Sequence, residues 1–218
     1  MIEPQSVYDA VGGTLLGHYR ATLITGLTTG MGANAPIASF RWTDANVAGS
    51  APTQAYMRPR IALLLGIDVG ACVTTAFTTG QPTDIEAVIA RSFSASDTGG
   101  TAITAANVSR LRSTFSTSLV GDLRVATTGT LTAGTRTLDG TGVCCANIYN
   151  QNVAGSGDTQ QNVYSLWRHG QYPVTLTTNE GLILRVPTAQ SAAGVVKYYI
   201  TLEWCEVSVE GATGFHPA

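Results

Sequence analysis

The chain has 218 residues, enough for one large β domain or two small ones, and its 44% apolar content can fill a core. Only 12% of residues are charged, about half the usual share, and the formal net charge is −2 with a pI near 5.9. That balance leaves no basic excess to neutralise phosphates, which argues against nucleic-acid binding. The longest apolar run, Ile61 to Ile67, is far shorter than the roughly 20 residues of a spanning helix, so no membrane partner is expected.

The N-terminal stretch 1–18 reads as an arm, with a short turn at Ser6 to Val11 broken by Gly12-Gly13. Strands follow at Tyr19–Leu27 and Pro36–Trp42, around a Gly- and Asn-rich loop from Thr28 to Ala35. After a loop at Asp44–Pro52, Tyr56–Ile67 reads as a strand. Pro59 pushes part of it to an edge, and the unbroken apolar run Ile61–Leu65 predicts burial on both faces. Cys72–Thr78 and Ile85–Phe93 are further strands, and Ala95–Gly100 is a turn. Thr104–Ser113 is the one helix candidate, with Thr104 as cap and Val108, Leu111 and Phe115 as its stripe. Strands resume at Asp122–Thr128 and Val143–Tyr149, then Asn150–Gln161 reads as a flexible polar loop. Val174–Leu176, Gly181–Val186 and Val195–Val209 complete the set. The last of these places Val196, Tyr198, Ile200, Leu202 and Trp204 on one face and Lys197, Tyr199, Thr201 and Glu203 on the other. Short strands with Gly-rich turns and one short helix predict an all-β antiparallel sandwich or barrel over 19–209, with a tail at 210–218.

The four cysteines are Cys72, Cys144, Cys145 and Cys205. Cys144 and Cys145 are adjacent in a strand and face opposite ways, and the N-terminus has no signal-peptide pattern, so reduced thiols and synthesis in the cytoplasm are expected. Gly30-Met31-Gly32-Ala33-Asn34-Ala35 has dinucleotide-fingerprint spacing, but Ile37 to Trp42 alternates like a strand where a helix would be needed, so it reads as a loop. His18, His169 and His216 have no metal-ligand spacing to each other or to a Cys. The aspartates fall at separate expected turns, and no motif stands behind a calcium site. No nucleophile elbow is present, since Ala154 precedes Gly155-Ser156-Gly157. An enzyme is therefore not expected, nor any cofactor or metal. The cluster Trp167, Arg168, His169 and Tyr172 is the candidate contact with a partner chain or glycan, weighed against a Trp that anchors the rim of the sandwich.

Several blocks resemble structural proteins of tailed bacteriophages. They are Ala90-Arg91-Ser92-Phe93-Ser94-Ala95-Ser96-Asp97-Thr98-Gly99-Gly100-Thr101-Ala102, Leu111-Arg112-Ser113, Leu123 to Thr128, Leu131 to Asp139, and Asn179-Glu180-Gly181 before an ending at Glu203-Trp204. Their order matches over roughly 19–207. The resemblance carries no catalytic residues. It implies a virion protein, and by analogy a jelly-roll capsid decoration or cement protein, commonly trimeric, that contacts the major capsid protein and copies of itself. The alternative it leaves open is a tail or fibre component that binds a host-surface glycan or adaptor.

Overall fold

The computed structural model describes residues 13–42, 60–115, 117–118, 120–150, 152–166 and 173–209. Twelve strands are placed among them. They are β1 (Gly13–Ile24), β2 (Ala35–Trp42), β3 (Arg60–Thr75), β4 (Gln81–Ala90), β5 (Thr101–Ile103), β6 (Ser109–Arg110), β7 (Val120–Val125), β8 (Cys144–Asn150), β9 (Gly157–Ser165), β10 (Val174–Leu176), β11 (Glu180–Val186) and β12 (Val195–Val209). Every strand pair is antiparallel. The first sheet has the order β10-β3-β12-β1-β6, with β9 also on β3, and the second has the order β5-β7-β2-β11-β4-β8.

Eight of these strands alternate between the sheets as β1-β12-β3-β9 and β2-β11-β4-β8. That is jelly-roll order, in which early and late strands of the chain pair as neighbours. The protein is thus an all-β antiparallel sandwich. Its two inner faces meet in one core that includes Tyr19, Leu23, Phe40, Trp42, Ile85, Leu123, Leu184, Tyr198 and Trp204. Trp204 stacks on Tyr19, with ring centroids 5.8 Å apart, and takes Phe40 edge-on at 5.1 Å.

The alternation expected of the last strand holds. Val196, Tyr198, Ile200, Leu202 and Trp204 are buried, while Lys197, Tyr199, Thr201 and Glu203 are half-buried or exposed. The run Ile61–Leu65 is covered on both sides. Ala62 and Leu64 join the main core, and Ile61, Leu63 and Leu65 join a separate apolar cluster with Leu15, Cys205 and Val207.

Four expectations need correction. β1 begins at Gly13, so residues 13–18 belong to the sheet and not to an arm. The strands expected at Tyr56–Ile67 and Cys72–Thr78 are one strand from Arg60 to Thr75, because the 15-residue β12 supplies hydrogen bonds past Gly66 and Gly70. The helix expected over Thr104–Ser113 does not form. It is a 3-10 turn at Ala105–Asn107, closed by Asn107 N–H on the Thr104 carbonyl (2.8 Å), followed by β6 against Tyr19 and Arg20 of β1. Within it Val108 is buried but Leu111 is exposed, so there is no apolar stripe to hold a helix to the core. Finally, β9 takes the last five residues of the loop expected at Asn150–Gln161, because the edge of β3 orders this polar segment by backbone pairing.

Candidate interaction surface

The outer faces of the two sheets differ. On the second sheet, Val88, Ala90, Phe93 and Ile183 point away from the main core and are nonetheless buried. The excursion between β7 and β8 lies against them. Leu138 packs on Ala90, Phe93 and Ile183, and backbone bonds tie Arg91 N–H to the Thr137 carbonyl (2.7 Å), Asp139 N–H to Ile89 (2.9 Å) and Val143 N–H to Ala87 (2.8 Å). Gly181 of β11 is required here, because a Cβ would lie 2.3 Å from the Phe40 carbonyl oxygen and 2.6 Å from the Phe93 ring.

Ion pairs fasten the same excursion. Asp97 is fully buried, pairs with Arg136 and accepts the Gly134 N–H (2.8 Å). Burial pushes the Arg136 pKa down, and its guanidinium carbon sits over the Phe93 ring, 5.6 Å from the ring centre. Arg91 reaches Asp139 (3.1 Å) and Glu180 (3.2 Å), and these two carboxylates raise its pKa. Glu86 accepts both the Gly142 N–H and the Arg185 Nε–H, each at 2.7 Å. Arg41 donates to the carbonyls of Phe93 (2.6 Å) and Ser94 (2.9 Å), and to Asn179 Oδ1 (3.2 Å). These charges are spent inside the chain.

The first sheet presents a different outer face across β1 and β12. His18 Nε2 and Glu203 Oε1 are 2.7 Å apart, and Arg20 NH2 donates to Glu203 Oε2 at 2.6 Å. The hydrogen bond from His18 holds the Glu203 carboxyl below its ordinary value, with Arg20 adding to the effect and partial burial opposing it. Further along the same two strands the cross-strand pair Ile24 and Tyr199 is exposed. The surface therefore carries an ion-paired cluster, the outward Lys197 and, further along the strands, exposed apolar side chains. Such a face suits a partner surface better than a small ligand.

The aspartates sit in different places from those the sequence suggested. Asp68, Asp84 and Asp122 are on strands and not in turns. Asp68 takes Asn162 Nδ2–H (2.9 Å), Asp84 takes Asn147 Nδ2–H (2.7 Å) and Asp122 takes Arg124 Nε–H (2.7 Å). Among the described residues no group of three or more His, Cys, Asp or Glu side chains is placed to hold a metal ion. Gly30–Asn34 is a loop with left-handed backbone at Gly30 and Asn34. The four cysteines are free. Burial pushes the Cys144 thiol up to about 12, and burial with Asp84 and Glu86 raises Cys145, so both stay protonated near neutral pH.

Trp167, Arg168, His169 and Tyr172 lie outside the described residues. His18, Arg20 and Glu203 were not singled out by sequence, because 183 to 185 residues separate the pairs. The one local sign was the outward phase of Glu203 in β12. No family model matches the chain, and no curated protein matches it. No helix among the described residues is long and apolar enough to cross a membrane.

Proposed function

We propose that the protein is a structural component of a bacteriophage virion, a decoration or cement protein that stabilises the capsid through contacts with the major capsid protein and with copies of itself. The observation that carries this reading is the asymmetry of the two outer faces. The excursion and its ion pairs close the β4 and β11 part of one. The other buries Ile61, Leu63, Cys205 and Val207 at one end and offers the exposed pair Ile24 and Tyr199 towards the other, on the same strands as the ion-paired His18, Arg20 and Glu203. A jelly roll is a rigid scaffold, and the exposed Ile24 and Tyr199 end of the first sheet is the part of it that would meet a shell. Binding there would stabilise the shell by mass action, since the protein binds the closed lattice and not its separated subunits.

The test is addition of the purified chain to capsids that lack it. Saturable binding and a rise in capsid melting temperature are expected, persisting at high salt because only 12% of the residues are charged and Glu203 is already paired with Arg20 within the chain. Binding to host cells and not to capsids would overturn the reading in favour of a tail or fibre protein that recognises a host-surface glycan or adaptor.

A further inference from the structure

We propose that β8 is a self-association edge, along which two copies of this chain pair antiparallel about a two-fold axis centred on Asn147. β8 ends the second sheet, and among the described residues no strand is hydrogen-bonded to its other edge, although β9 of the first sheet runs near it. It pairs with β4 over all seven residues, from Ala87 opposite Cys144 to Gln81 opposite Asn150, without a bulge. A long, regular edge presents a row of backbone donors and acceptors that a further strand can match.

The other sheet edges are blunted. β5 and β10 have three residues each and β6 has two. β9 is longer, but two register shifts break its pairing with β3, and it carries Asp158. β8 has none of the usual protection: Cys144-Cys145-Ala146-Asn147-Ile148-Tyr149-Asn150 contains no charge, no Pro and no Gly. Apolar exposure gathers at the same place. Of the seven large apolar residues exposed among the described ones, three are Val143, Tyr149 (53%) and Val153 (56%), on β8 or just beside it.

The sequence of β8 also fits its own copy. In an antiparallel pair about a two-fold axis perpendicular to the sheet, directly opposed residues share a face. Exposed Cys145, Asn147 and Tyr149 must then meet one another, and so must inward Ala146 and Ile148. Centring on Asn147 satisfies this over the whole strand. Cys145 stands opposite Tyr149, Ala146 opposite Ile148, and the two Asn147 amides face each other. No like charges are opposed, which is the usual obstacle to pairing a strand with itself. The contact joins two six-stranded sheets into one continuous sheet. It is isologous, so it specifies a dimer and not the trimer that the phage resemblance implies. It does not depend on the capsid reading: a dimer that fails to bind capsids leaves it standing.

Two measurements on the full chain test it. Directly opposed Cα atoms in such a pair are about 4.5–5.5 Å apart, within reach of a disulfide. Asn147→Cys, in a chain also carrying Cys144→Ser and Cys145→Ser, should form a disulfide-linked dimer on mild oxidation that dithiothreitol reverses. The same chain with Asn147 retained should not. In light scattering the wild type should have a dimer mass, and Asn147→Lys, which sets two lysines opposite each other, should be a monomer that keeps the wild-type circular-dichroism spectrum. A wild-type monomer at the highest soluble concentration would overturn the proposal, as would a trimer, an unlinked Asn147→Cys chain, or a dimer that survives Asn147→Lys. Should Asn147→Lys fail to fold, the cross-link decides.

Discussion

Trp204→Ala tests the assignment of the two faces of β12. The indole is 1% exposed and packs between Tyr19 and Phe40, and its Nε1–H points at Glu206 Oε1 (3.4 Å). Truncation removes a large buried side chain and leaves a cavity between sheets that cannot collapse onto it, at a cost of about 3–5 kcal/mol. Loss of the two aromatic contacts falls at the upper end of that range. Glu206 keeps the Ser118 hydroxyl (2.6 Å), so the substitution does not strip the buried carboxyl of every donor. Glu203 is adjacent in sequence and faces out, with its side chain 24% exposed. Glu203→Ala breaks the contacts with His18 and Arg20, and a screened pair of this kind contributes about 1 kcal/mol or less. Equilibrium denaturation of both variants should therefore separate them severalfold. At roughly 2–4 °C per kcal/mol for a domain of this size, Trp204→Ala should lower the melting temperature by about 10 °C. Equal shifts for the two variants would refute the face assignment and the register of β1 on β12.

Three other outcomes rest on the same geometry. Glu203 titrates below its ordinary value of 4.5 when folded, so its contribution is present above that pH and lost as the pH falls through the lowered value; the stability gap between wild type and Glu203→Gln should close in acid melts. Asp97→Asn should cost about 3–5 kcal/mol by leaving Arg136 buried without its counter-charge, and adding Arg136→Met should recover part of the loss, as read from a double-mutant cycle in urea. Gly181→Ala should destabilise by about 1–3 kcal/mol, because its Cβ meets the Phe40 carbonyl and the Phe93 ring; a variant as stable as wild type by thermal melting would mean that Phe93 does not seat over β11.

What the sequence determined by itself is the set of local periods. The alternation in β12 named its buried face correctly from Val196 to Trp204, and the unbroken apolar run Ile61–Leu65 marked a strand covered on both sides. Period two is a property of one strand, so it is legible without knowing the neighbours. The tertiary structure decided everything that depends on a partner strand. β12 fused two expected strands into β3 by hydrogen-bonding across its glycines, and β1 drew Ser109 and Arg110 out of an expected helix. β3 likewise ordered β9 out of a polar stretch with no apolar pattern. The charged cluster on the outer face joins His18 and Arg20 to Glu203, and the clamp on the other face joins Asp97 to Arg136. Jelly-roll topology pairs the two ends of the chain, and residues so far apart leave no trace in local spacing.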